Sequence, residues 1–499
     1  MIITRPKYFA QIAIASFTTV AACTPASQSV LRARAESSRS SGLRVMPNVW
    51  MDSVSRFPAD DRYNPGQIIP QVESELAVDP NDPNNVIASA VYFGGVLHGP
   101  PSAANIRSTG GRTLATRDGG RTWKAVAEPQ WGDYNLRVAY SKRYGDAYRL
   151  GGPGGASLAA NREFYGIDVQ RSDDKGETWI SQNTRRRAVD GFRTDDTDQG
   201  NMVVDNGPES PYYGRIYLAP HHFRFWYNDA RGAAEGWRVS EQSFTSAGTV
   251  FTSGFDVLPD GTVVLPFRKY QKNSEGVNEL HVYVVTSKDG GKTFTTPRHV
   301  VQLDIIRFSY PKEAGRVFYA GVGTDSQAWL VADPSTGRFY CAYAKTVQEQ
   351  RRIFLIYSAD QGSTWSAPVA VSPGDPGNQF QLRSAVNHRG EIGVSWLDTR
   401  HNSGDTGFDE YFAFSSDAGR TFREVRVSSE SSTPKWDFNQ HQIPGEKWIV
   451  PGYDARRHLT GGDYIGLRAD SNGDFVMTWP DSRKRDLPQM YFSKVIVSR

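Results

Sequence analysis

Apolar residues along the chain come in short runs, many alternating with polar positions and each bounded by Asp, Asn or Gly. The runs come in pairs around a turn. Examples are Leu76-Ala77-Val78-Asp79 with Val86-Ile87-Ala88, Met202-Val203-Val204-Asp205 with Arg215-Ile216-Tyr217-Leu218, and Ile465-Gly466-Leu467 with Phe475-Val476-Met477-Thr478-Trp479. Others begin at Phe255, Trp329 and Ser384, and a less regular one is Arg137-Val138-Ala139-Tyr140. Each reads as two antiparallel strands about a tight turn, and the count of such pairs is seven.

Between these pairs runs a second pattern, Ser/Thr-x-Asp-x-Gly-x-Thr-Trp/Phe. It occurs five times, around Asp118, Asp174, Asp289, Asp360 and Asp417. Each copy follows an apolar or β-branched run such as Val282-Tyr283-Val284-Val285 or Ile353-Phe354-Leu355-Ile356-Tyr357. The aspartate can accept hydrogen bonds from the N–H groups of its own turn, and the glycine supplies a positive φ. The hydroxyl ties down the incoming strand, and the aromatic packs between sheets. The motif's chemistry is structural.

This pattern resembles the Asp-box, or BNR repeat, of sialidases and other propeller glycosidases. The resemblance covers residues 70–498, and in that family the boxes lie on the rim, away from the ligand. Successive box aspartates are 56, 115, 71 and 57 residues apart, so the second interval is about twice the first. That doubling implies a degenerate unit near Asn228-Asp229, with Gly232 and Trp237 at stretched offsets. With the inner strand pairs, the expected fold is an all-β propeller of four-stranded antiparallel blades. Seven blades is the favoured count and six, the sialidase number, is the alternative. The last blade lacks an outer strand, which residues 43–54 could supply to close the ring.

Composition changes the picture little over 43–499, the expected propeller. Twelve per cent of residues are aromatic and 47 are glycine, which suits short strands and tight turns. A net charge of +3 gives no case for a nucleic-acid partner. The first 23 residues differ: Arg5 and Lys7 precede a mostly apolar run that is too short to span a bilayer, ending in Val20-Ala21-Ala22-Cys23. This resembles the lipobox of bacterial lipoproteins. The resemblance implies an exported envelope protein, held at the membrane by a lipid on Cys23, with 24–42 as a flexible tether. Ordinary cleavage and secretion, to the periplasm or beyond, is the alternative. The other cysteine, Cys341, lies in an apolar run and reads as a buried strand residue. No spacing indicates a metal or another cofactor.

Ligands of propellers bind where the inner strands begin, around the central channel. Polar residues at those starts are therefore the candidates: Glu73, Glu75, Asp196, Asp198, Asp325, Gln327, Gln379, Gln381, Arg383, Asp463 and Tyr464. Two further segments, Trp396-Leu397-Asp398-Thr399-Arg400 and Trp479-Pro480-Asp481-Ser482-Arg483, occupy equivalent places in adjacent blades. Their Asp–Arg pairs read either as ligand contacts or as blade-locking salt bridges.

The sialidase resemblance implies arginines for a sugar carboxylate, a tyrosine nucleophile activated by a glutamate, and an acidic acid/base. Carried onto this chain, Arg383, Arg400 and Arg483 with Asp463 would bind substrate, and Tyr464 would be the nucleophile. Glu75 or Asp198 would supply the acid/base. The family's Phe/Tyr-Arg-Ile-Pro motif is absent from the start of the propeller. The expected activity is glycoside hydrolysis on terminal, acidic or other, sugars of a glycan or exopolysaccharide. A non-catalytic glycan- or protein-binding propeller and a polysaccharide lyase are the alternatives. The insertion at 428–461, rich in aromatic and basic residues, is placed to cover the ligand face.

Overall fold

A computed structural model describes residues 42–53, 71–92, 96–97, 106–107, 110–131, 133–153, 168–181, 201–219, 225–242, 249–250, 254–305, 328–372, 376–434, 461–483 and 488–498. Seven antiparallel sheets follow one another, each running outward from its first strand in chain order. Blade 1 is Gln71–Asp79, Asp82–Tyr92, Gly110–Thr116 and Lys124–Trp131, and blade 2 is Asp133–Tyr140, Ala147–Pro153, Asp168–Ser172 and Ile180–Ser181. Blade 3 is Asn201–Val204, Ile216–Ala219, Trp226–Asn228 and Trp237–Val239. Blade 4 has Thr249–Val250 and Asp256–Val257 on its inner edge, then Val263–Lys272, Asn278–Ser287 and Arg298–Leu303. Blade 5 is Ala328–Ala332, Phe339–Val347, Gln350–Ser358 and Val369–Ala370, and blade 6 is Gln379–Val386, Ile392–Asp398, Asp409–Ser415 and Arg423–Arg426.

Blade 7 draws on both ends of the described chain. Gly466–Ala469, Phe475–Asp481 and Gln489–Val497 are its inner strands, and Leu43–Val45 completes it by pairing antiparallel with residues 495–497. Val49–Trp50 adds a second contact on the same strand, opposite Phe492 and Tyr491. The expected closure by residues 43–54 is therefore present over 43–50, and the count is seven blades.

Each inner strand packs against the inner strand of the next blade, and the seventh returns to the first. The side chains between blades are apolar because both faces of every sheet are covered. Seven separate clusters result, one for each interface. The cluster between blades 6 and 7 holds Phe412, Phe414, Phe475 and Trp479, together with Leu43 from the closing strand. Cys341 is wholly buried in the cluster between blades 4 and 5, and burial pushes its thiol up to about 12.

The five repeated turns share one geometry. At Asp360, one carboxylate oxygen accepts from the Thr364 N–H at 2.8 Å and from the Ser358 hydroxyl at 2.8 Å. The other accepts from the Thr364 hydroxyl at 2.7 Å. Ser358 Oγ in turn accepts from the Gly362 N–H at 2.7 Å. Gly362 has φ +88°, and a Cβ there would lie 2.7 Å from Val284 in blade 4. In blade 3 the unit is degenerate as expected: Asn228 Oδ1 accepts from the N–H groups of Ala230 and Gly232 at 2.7 and 3.0 Å. An amide oxygen there does the work of the serine hydroxyl.

These hydrogen bonds favour the ionised aspartate. Burial is the largest single influence and opposes ionisation, but the Thr, Ser and N–H donors together outweigh it and bring Asp118 and Asp174 down to about 2. A carboxylate depressed on folding stabilises the fold above its unfolded value near 3.8, and that gain is lost as the pH falls through about 2. Resistance to urea is therefore expected to fall steeply between pH 4 and pH 2. Asp174→Ala should lower it at pH 7 and make the acid-side fall shallower, as read from unfolding midpoints across that range.

Candidate functional site in the central channel

Inner-strand register decides which residues meet at the axis. Asp79, Asp205, Asp333, Asn387 and Asp470 occupy equivalent turns at the ends of the inner strands of blades 1, 3, 5, 6 and 7. Counting back four residues gives Glu75, Asn201, Trp329, Arg383 and Gly466, and the same level in blade 2 is Arg137. Two residues further along each strand comes a ring of Ala77, Ala139, Val203, Asp256, Val331, Ala385 and Arg468. The upper ring carries Glu75, Arg137, Asn201 and Arg383 beside the Trp329 indole. The lower one is aliphatic apart from one acid and one base.

Two strands are distorted where they enter the upper ring. Glu73 in blade 1 and Gln381 in blade 6 have φ of 53° and 51°, left-handed conformations uncommon for such residues. Pairing slips in both blades at that point, between Val72 and Glu75 and between Phe380 and Arg383. Such bulges re-aim the following side chain. Here they precede Glu75 and Arg383, which meet across the channel wall. Gly462 permits the packing from blade 7, since a Cβ on it would meet the Glu73 side chain at 2.3 Å.

Glu75 sits among three arginines. Arg468 Nη2 donates to Oε1 at 2.9 Å, Arg383 Nη2 lies 3.5 Å from Oε2, and Arg137 acts on the same carboxylate through space. Burial alone would raise the Glu75 carboxyl, but Arg468, Arg383 and Arg137, with the Leu76 N–H at 3.2 Å, hold it below its ordinary value. Arg383 is wholly buried, stacked 3.4 Å over the Trp329 ring, and donates from Nε to the Ile465 carbonyl at 2.7 Å. Burial pushes Arg383 down to about 9; Glu75 opposes that, while Arg137 and Arg468 add to it. Tyr464 lies beside the same group, with Arg137 4.2 Å and Arg383 5.5 Å from its ring centroid. Its hydroxyl is raised by burial, an effect that Arg137 only partly offsets.

Of the residues expected from the sequence, Glu75, Arg383 and Tyr464 come together, and Asp463 lies buried next to Tyr464 in the chain. Arg400 and Arg483 do not join them. Arg400 Nη2 bonds Asp398 at 2.7 Å and its Nη1 bonds Glu424 at 2.6 Å, with the guanidinium 4.1 Å over Tyr411. Trp396 Nε1 reaches the same Asp398 at 2.9 Å. Blade 7 repeats this unit, with Trp479 and Arg483 on Asp481 and the guanidinium 4.6 Å over Tyr491. These are Trp–Asp–Arg–Tyr locks within blades. The expected Arg383–Arg400–Arg483 cluster is replaced by Arg137–Arg383–Arg468, because the tight turn after each second strand lets the aspartate capture the arginine two residues on. Asp196, Asp198, Asp325, Gln327 and Cys23 lie outside the described residues, as does most of the 428–461 insertion.

Arg137, Arg468, Trp329 and Asp256 were not singled out from the sequence. The available signal was a charge or a large aromatic inside an inner-strand run, where channel burial otherwise selects small aliphatics. A cavity of about 290 Å³ extends from Glu75, Arg137 and Trp329 past the lower ring to Asn206 and Pro334 at the turn end of the channel. Asp256 faces it and is raised to about 6 by burial, against the Ala332 N–H and Arg468. Among the described residues no group of three metal-ligating side chains occurs, and no helix is long and apolar enough to cross a membrane.

Fold and site together define a seven-bladed propeller with a charged, partly hollow channel. It resembles a Dyadobacter fermentans DSM 18053 protein of unknown function at 12% identity and TM-score 0.41, over 91% of this chain and 99% of that one. The phage phi92 endosialidase aligns at 10% identity and TM-score 0.41, over 86% and 68% of the two chains. A Penicillium chrysogenum α-L-arabinanase complexed with arabinobiose aligns at 12% identity and TM-score 0.33, over 73% and 93%. No protein-family model and no curated protein matches the sequence.

A carboxyl raised on folding costs stability above its folded pKa and nothing below its unfolded one. Asp256→Asn keeps an acceptor for the Ala332 N–H and removes that cost. It is expected to stabilise the protein by about 1–2 kcal/mol at pH 7.5, allowing for screening through the cavity. The gain should shrink as pH falls through about 6 toward 4, as read from denaturant unfolding at each pH.

Proposed function

We propose that the protein is an exported, sialidase-like glycoside hydrolase acting on terminal acidic sugars of a glycan or exopolysaccharide. The observation that carries this reading is the convergence of Arg137, Arg383 and Arg468, with Tyr464 and Trp329, on one point of the channel. Planar guanidinium groups pair with carboxylates, and an indole face stacks on a sugar ring. Three guanidinium groups outnumber the two carboxylates beside them, Glu75 and Glu73, so the cluster favours a further anion. Tyr464 would act as the nucleophile, and Glu75 would be the carboxylate that sets its protonation. The box motif and the N-terminal lipobox support the same assignment to an exported family.

The measurement is sugar release from a panel of sialyl- and uronate-bearing glycans. Turnover is expected in the wild type, with Tyr464→Phe and Glu75→Gln each lowering kcat/KM by about 100-fold or more. No turnover across the panel, with Tyr464→Phe indistinguishable from wild type, would remove the reading.

One feature favours a second reading, a glycan-binding propeller without catalysis: Glu75 already occupies the arginines, and Tyr464 is almost wholly buried. Retention on a glycan array without product would select it. Unsaturated products absorbing in the ultraviolet would indicate a lyase instead.

We further infer that Cys23 carries the lipid that holds the protein at the cell envelope. Wild type should partition with membranes and Cys23→Ser with the soluble fraction. Equal partitioning of the two would mean plain secretion.

A further inference from the structure

The lower channel is chemically distinct from the arginine cluster above it. Its walls at the second ring are small aliphatic side chains, among them Ala77, Val203, Val331 and Ala385. Two charged groups interrupt them, Asp256 from blade 4 and Arg468 from blade 7, three blades apart and so on opposite sides of the axis. Charges are not placed on such a surface without cost, and both are only partly compensated by the protein.

Asp256 Oδ2 accepts the Ala332 N–H at 2.9 Å, and Oδ1 has no protein partner among the described residues. Arg468 uses Nη2 on Glu75 and Nη1 on the Leu467 carbonyl, both at 2.9 Å. Its Nε–H has no described partner, and a third of the side chain remains exposed. An open anionic acceptor thus faces an open cationic donor across the aliphatic level of a cavity of about 290 Å³.

We propose that the lower channel binds a small zwitterion of amino-acid size, its ammonium on Asp256 and its carboxylate on Arg468. The aliphatic walls take the carbon skeleton between the two charges. Neither a simple anion nor a simple cation satisfies both groups. The site shares Arg468 with the arginine cluster, but it needs neither Tyr464 nor a scissile bond.

Titration calorimetry and saturation-transfer NMR on the purified full-length protein test this with glycine, β-alanine and γ-aminobutyrate as probes. Their N-acetyl and amide derivatives are the controls that each lack one charge. Binding is expected to peak at one chain length and to weaken about ten-fold or more when either charge is blocked. Asp256→Asn should give the same loss. Ala385→Leu fills the wall without touching either charge and should also abolish binding while circular dichroism stays native. No binding by any probe, equal binding by the singly charged controls, or an Asp256→Asn protein that binds as wild type would each overturn the assignment. Turnover of glycans, present or absent, bears only on the arginine cluster.

Discussion

Closure of the ring is the constraint from which the other features follow. Each blade is a sheet whose two faces are apolar, so no blade is stable until a neighbour covers both. A chain of seven such sheets leaves two uncovered faces and a bare strand edge unless the last meets the first. The meeting is made by Leu43–Val45, which completes the sheet holding the last strand and sends Leu43 into the cluster between blades 6 and 7. Once the ring is shut, every inner strand faces a common axis. Residues more than 300 positions apart, such as Glu75 and Arg383, then become contact partners.

Scaffold and site use the same amino acids under different rules. Aspartates of the repeated turns bond their own strand's N–H and hydroxyl groups, and so are depressed and inert. Asp398 and Asp481 capture the arginine two residues on and fix the far end of the second strand. Asp256 and Glu75 differ because their partners come from other blades. Glu75 meets arginines and is held below its ordinary value, whereas Asp256 meets one N–H and a distant arginine and is raised to about 6. Left-handed Glu73 and Gln381 mark the same boundary. Backbone strain is tolerated where neighbours over-determine the conformation, and here it aims the two side chains that join blades 1 and 6.

Much of the architecture was legible from spacing alone. The repeated turn is a local structure, its hydrogen bonds spanning four residues, so its signature survives in the sequence wherever the turn does. Asn228 shows the limit of that legibility: an amide can replace the hydroxyl, and the doubled interval and the inner strand pair at 202–218 were what marked the blade. Seven inner strand pairs likewise followed from short apolar runs bounded by turn residues, because a strand covered on both faces needs apolar residues on each. The candidate site was legible in part. Glu75, Arg383 and Tyr464 stand at inner-strand starts, where position along one strand is informative.

The arginine set could not be chosen that way. Arg400 and Arg483 each follow an aspartate by two residues, unlike Arg383, but only the tight turn shows that the aspartate captures them rather than leaving them for a ligand. Arg137 and Arg468 carried no motif, and their role depends on the register of two other blades. Sequence by itself determined the blade and its turns and favoured seven copies over six, because these rest on contacts within a few dozen residues. Which charges share the channel was decided only by ring closure, since that alone sets the level at which strands from opposite ends of the chain face one another.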